Sequence, residues 1–93
     1  MKLTELETRT IEDINESYLT HGIENTEFHN LYGWDAQNKS LRGAFSSLKK
    51  KGVVDHVDDK GCFNPIFPTE IYLEVIQELG LEVPNEVTQL LGK

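Results

Sequence analysis

The 93-residue sequence has one cysteine, one tryptophan, three prolines and only nine lysines and arginines. The lone Cys62 excludes an intramolecular disulfide and suits a reducing compartment. It also excludes the paired-cysteine spacings of structural zinc sites. No apolar run approaches the ~18 residues of a membrane-spanning helix, so no membrane partner is expected. The opening MKLTELETRT has no apolar core of the kind a secretory signal needs, and the expectation is a soluble, cytoplasmic protein. No Gly-rich phosphate loop, G-x-S-x-G turn or H-E-x-x-H helix occurs. A chain this short has little room for a deep substrate cleft. Neither an enzyme nor a cofactor is expected.

Large apolar residues are present along the whole length, enough for one small core. Thr4-Glu5-Leu6-Glu7 is a capping-box pattern, and Leu6, Ile11, Ile14, Tyr18 and Leu19 then mark one helical face that ends at Gly22. Thr26-Glu27-Phe28 opens a shorter helix with Phe28, Leu31 and Tyr32 inward, broken at Gly33, and Trp34 pins the turn after it. A third helix over residues 38–51 carries Leu41, Ala44, Phe45 and Leu48 at i, i+3, i+4 and i+7, and Gly52 closes it. Val53, Val54 and Val57, the turn cluster Asp58–Gly61 and the run Cys62–Phe67 read as a β-hairpin, irregular or at an edge at Pro65. Pro68 ends the hairpin. Thr69 caps a helix with Ile71, Tyr72, Val75, Ile76 and Leu79 inward, stopped by Gly80. One more short helix fits after Pro84. Residues 1–80 thus form the domain, and 81–93 a tail or short helix packed on it or at a dimer interface.

The distribution of charge is the informative feature. The stretch NKSLRGAFSSLKKKG, Asn38 to Gly52, holds five of the nine bases and no acid. Removing its +5 from the net charge of −7 leaves −12 on the other residues. A net acidic chain is a poor polyanion binder, but binding depends on where charge lies rather than on its sum. Lys39, Arg42, Ser46, Lys49 and Lys50 fall opposite the apolar stripe of the same helix at 100° per residue. One helix therefore separates a core face from a basic face. Ser40, Gly43, Ser46 and Ser47 are small and permit close approach of that helix to a groove.

The element order, together with the run Leu41-Arg42-Gly43-Ala44-Phe45-Ser46-Ser47-Leu48-Lys49-Lys50-Lys51-Gly52-Val53, resembles a winged helix-turn-helix domain over residues 4–80. In that superfamily a recognition helix ends in leucine, charged residues, Lys-Gly and an apolar pair that enters the wing. The resemblance implies a mainly α fold with a small β-hairpin and a major-groove DNA reader. Two features depart from it. The turn from Gly33 to Asn38 is longer than the tightest helix-turn-helix turns, and the wing tip Asp58-Asp59-Lys60 is acidic where phosphate-straddling wings are often basic.

Asn38, Lys39, Ser40 and Arg42 are the expected base-edge or nearby phosphate contacts, with Ser46 on the same face and Lys49, Lys50 and Lys51 holding phosphates. Double-stranded DNA is the expected partner, and a bacterial or mobile-element transcriptional regulator the expected role. A protein-recognition module, an adaptor or inhibitor using the basic helix or the acidic body, is the alternative. A homodimer through Ile71, Val75, Ile76, Leu79, Leu90 and Leu91 is possible, or those residues complete the core. His56, Asp58, Asp59 and Cys62 lie near one another in sequence but lack metal-ligand spacing, and no metal is expected. His21 sits at a helix C-terminus, where a cation is favourable.

Overall fold

The computed structural model describes residues 2–26, 39–56 and 65–92. They form α1 (Glu5–His21), α2 (Lys39–Lys50), β1 (Val54–His56), β2 (Ile66–Pro68), α3 (Glu70–Glu78) and α4 (Asn85–Leu91). The fold is mainly α with a small antiparallel hairpin, in which Val54 faces Pro68, Asp55 faces Phe67 and His56 faces Ile66. Pro68, expected to end the hairpin, is its last paired residue. The short helix expected from Thr26 to Gly33, the turn at Trp34 and the hairpin tip lie outside the described residues.

Helix α1 starts where the sequence places it. The Thr4 hydroxyl accepts from the Glu7 amide at 3.1 Å, and the Thr4 amide donates to Glu7 Oε1 at 2.9 Å. It ends at Gly22, whose amide donates to Tyr18 O at 3.1 Å with φ 86°. A side chain there would be strained and would also displace the Glu86 carboxylate. The backbone is left-handed, and a Cβ would stand 2.8 Å from the Glu86 carboxylate of α4.

The inner face of α1 departs from the expected apolar stripe. Ile11, Ile14 and Tyr18 are buried, but Leu6 and Leu19 are each 44% exposed. Glu7, Thr10, Asn15 and Ser17 are buried in their stead. The reason is that each of these polar groups has a partner. Thr10 bonds back to Leu6 O (2.8 Å), and Ser17 Oγ lies 2.8 Å from Thr26 Oγ1. Asn15 Nδ2 donates to Glu82 O and Asn15 Oδ1 accepts from the Tyr72 hydroxyl, both at 2.8 Å. The Tyr18 hydroxyl donates to Ile66 O of β2 at 2.7 Å, and burial raises its pKa, keeping it a neutral donor. Its ring meets Tyr72 edge-on, with centroids 5.6 Å apart.

Thr69 caps α3 as expected, accepting from the Tyr72 amide at 3.3 Å. Tyr72, Leu73, Val75 and Ile76 enter the core, while Leu79 is 39% exposed. Val75 and Ile76 are therefore core residues and leave the set of possible dimer contacts. Helix α4 follows Pro84 and closes on α1. Val87 is fully buried, and Glu86 Oε2 accepts from the Ile23 amide at 2.6 Å. The Ile66 amide donates to Thr26 O (2.9 Å), bringing the end of the 22–26 turn against β2.

Glu7 couples this framework to pH. The carboxylate is 2% exposed, and burial alone would push its pKa up. Hydrogen bonds from Lys51, the Thr4 amide and Ser47 outweigh burial and lower the pKa from 4.5 to about 2. A depressed pKa stabilises the fold above the unfolded value and loses that stabilisation as pH falls toward the folded one. The contribution is about 3 kcal/mol at neutral pH. Urea unfolding of the wild type should therefore weaken between about pH 5 and pH 2, and Glu7→Gln should weaken less over the same window. Phe45→Ala, which empties a site that is 3% exposed, should cost about 3–5 kcal/mol in the same assay.

Candidate nucleic-acid interface

Helix α2 presents two chemically distinct faces. Ala44, Phe45 and Leu48 are buried, packing the helix chiefly against α1. Gly43, Ser46, Lys49 and Lys50 are exposed and Arg42 is half-buried. Lys39 and Ser40 open the helix. Asn38 lies outside the described residues. The separation follows from placing apolar residues at three- and four-residue spacing on a 3.6-residue helix.

The C-terminal end of α2 is tightly specified. The Val53 amide donates to Leu48 O at 3.0 Å, and the Gly52 amide to Lys49 O at 3.1 Å. With Gly52 at φ 79°, this is the Schellman closure, and Leu48 and Val53 supply its apolar contact, both fully buried. The Thr69 hydroxyl sits 2.6 Å from Gly52 O and 2.7 Å from Val53 O, so the cap of α3 also fastens this turn. Lys49 and Lys50 stand in the last turn, where the negative helix end favours cations.

Lys51 is placed differently from its two neighbours. Its ammonium is 2.9 Å from Glu7 Oε1 and 2.8 Å from Oε2, and Ser47 Oγ donates to Oε2 at 3.0 Å. Three residues thus join the start of α1 to the end of α2. The capping box identified Glu7 as a helix cap, but nothing local in the sequence announces its second role. A signal exists on the α2 side. Ser47 and Lys51 are four residues apart, and at 100° per residue Lys51 falls beside the core stripe, away from Lys49 and Lys50.

Acidic side chains are concentrated elsewhere. Glu12 and Glu16 are exposed on α1, Glu70, Glu74 and Glu78 on α3, and residues 38–52 contain none. Crowding is felt on α1. Burial, then the charges of Glu16 and Glu12, raise the pKa of Asp13 against the opposing effect of Arg9.

A shallow groove of about 410 Å³ lies between the end of α1 and the start of α4, lined by Tyr18, Leu19, Gly22, Glu82, Pro84, Asn85 and Glu86. Its Tyr18 hydroxyl and Glu86 carboxylate are engaged by Ile66 O and the Ile23 amide, so neither is poised as a nucleophile or base. Among the described residues no group of three or more His, Cys, Asp or Glu is arranged to hold a metal. Asp58, Asp59 and Cys62 lie outside those residues. No described helix is long and apolar enough to cross a membrane.

No protein family, curated protein or solved structure matches this chain.

Gly43 has no fold-level justification. It is exposed in the interior of α2, and a Cβ there would meet nothing within 4 Å. Gly43→Ala should therefore raise stability by about 0.5–1 kcal/mol, read as a higher urea midpoint. A lower midpoint would mean that the glycine serves the fold after all.

Proposed function

We propose that the protein is a winged helix-turn-helix DNA-binding protein, a small transcriptional regulator that lays α2 in the major groove. The observation that carries this reading is the exposed, acid-free surface of α2, where Ser46, Lys49 and Lys50 are exposed while Phe45 and Leu48 are buried. The order of α1, α2, hairpin and α3 supports it, with β1 and β2 as the wing. Lys39, Ser40 and Arg42, at the N-terminal end of the helix, and Asn38, which precedes them in sequence, are the proposed base-edge or neighbouring phosphate contacts. Lys49 and Lys50 are the proposed phosphate contacts, which fix register without reading sequence. Gly43 and Ser46 keep the middle of the helix low enough for close approach.

A second reading has its own support. The net charge of −7 and the row Glu70, Glu74 and Glu78 on α3 suit recognition of a basic protein surface. In that reading the same fold is an adaptor or inhibitor. The exposed Leu79 and Leu90 are the candidate apolar contacts of a homodimer under either reading.

Fluorescence anisotropy on a random-sequence duplex, titrated with salt, separates the two. The wild type should bind at ~50 mM salt, and Lys49→Ala and Lys50→Ala should each reduce the salt slope by about one unit of log K per log salt. Both should weaken all sequences alike. Arg42→Ala should cost about 1–3 kcal/mol and relax preference at one base-pair position. Reversing Lys49 and Lys50 to Glu together should abolish binding at that salt. Absence of wild-type binding there assigns the basic helix to a protein partner.

A further inference from the structure

Lys49, Lys50 and Lys51 are consecutive in sequence but unequal in the fold. All three are exposed, and the difference lies in what Lys51 meets. The Lys51 ammonium lies within 2.9 Å of both oxygens of Glu7, a carboxylate that is 2% exposed. That carboxylate also accepts from Ser47 Oγ and the Thr4 amide, so it is held in place from both helices. A lysine gains from meeting a phosphate chiefly because the polyanion sheds a condensed counterion when the lysine replaces it. Lys51 already has a fixed carboxylate beside it. A phosphate that drew the ammonium away would strand a buried charge without its partner, which is strongly unfavourable.

We infer that Glu7 is a built-in counterion that withholds Lys51 from polyanions and leaves Lys49 and Lys50 as the phosphate-contacting pair at this end of α2. The inference rests on the DNA reading for its consequence, since it refines which lysines that reading can use. The Glu7–Lys51 pair is electrically neutral, so this end of the helix offers two positive charges rather than three. The C-terminal turn is thereby fastened by an ion pair that DNA does not compete for.

Limited acylation with an N-hydroxysuccinimide ester, read by fragment-ion mass spectrometry, tests the pairing on the intact wild-type chain. Lys51 should acylate several-fold more slowly than Lys49 and Lys50, and Glu7→Gln, checked for folding by circular dichroism, should bring it level with them. Equal rates for all three lysines in the wild type overturn the inference, whatever the variant does. On a random-sequence duplex, Glu7→Gln should raise the salt slope by about one unit as Lys51 becomes a phosphate contact. An unchanged slope in a folded variant that still binds overturns the withholding role. With duplex added to the wild type, Lys49 and Lys50 should become protected while Lys51 keeps its rate. If no lysine responds and no duplex is bound, the DNA reading fails, and the labelling of the free protein still decides the pairing.

Discussion

Helix α1 buries a row of polar groups, and the rest of the described structure is arranged to satisfy them. A buried polar atom without a partner costs more than an ordinary hydrogen bond returns, so each must be met. Thr10 is met within its own helix. The others reach outward to different elements. Glu7 takes Ser47 and Lys51 at the end of α2, Asn15 takes Tyr72 of α3 and the carbonyl of Glu82, Ser17 takes Thr26, and Tyr18 takes Ile66 of β2. An apolar stripe would accept many packings of similar energy. A polar stripe with fixed partners accepts few, which is how a domain with a small core can hold one arrangement.

The same stripe governs where charge appears. Glu7 is the one acid from the first turn of α1 that is drawn inward, and it takes a base with it. Exposed acids stand on α1 and α3 and also at Glu24, Asp55, Glu82 and Glu86, while Lys49 and Lys50 are exposed at the end of α2. Charge is thus divided along the sequence, with +5 on residues 38–52 and −12 on the rest. On the proposed reading, that polarity orients the approach to DNA, because the acidic surfaces are repelled by the phosphates that attract α2. It also restrains binding by any other face.

Features set by neighbours in sequence were legible in the sequence. Thr4 with Glu7, Gly22, Gly52, Thr69 and Pro84 each act within about one helical turn, so local spacing announces them. The core face of α2 was legible for the same reason, since Ala44, Phe45 and Leu48 are apolar and periodic. The inner face of α1 was not. Glu7 and Asn15 are buried because of partners far along the chain: Ser47 is 40 residues from Glu7, Tyr72 is 57 from Asn15, and Glu82 is 67 from Asn15. Hydrophobic pattern favoured Leu6 and Leu19 for those places, and it had no access to the partners that decided otherwise. The pairing of Lys51 with Glu7 was likewise not legible from local spacing. Counted by composition that lysine belongs with Lys49 and Lys50; counted by angle it belongs beside the core.

The two ends of α2 are under different constraints, and the proposed roles follow that difference. At the C-terminal end, the Schellman closure, the Thr69 hydroxyl and the Glu7 carboxylate hold the turn from three directions. The backbones of Lys49 and Lys50 are therefore fixed before any ligand arrives, while their side chains stay in solvent. Fixed backbones with adaptable cationic tips suit phosphates, which repeat along DNA whatever its sequence. Base edges demand more, because a forked donor such as Arg42 must be aligned in angle as well as position. That residue is half-buried at the other end of the helix, where packing limits the orientations its side chain can take. On the proposed reading, anchoring one end firmly thus lets a single short helix divide positioning from discrimination along its own length.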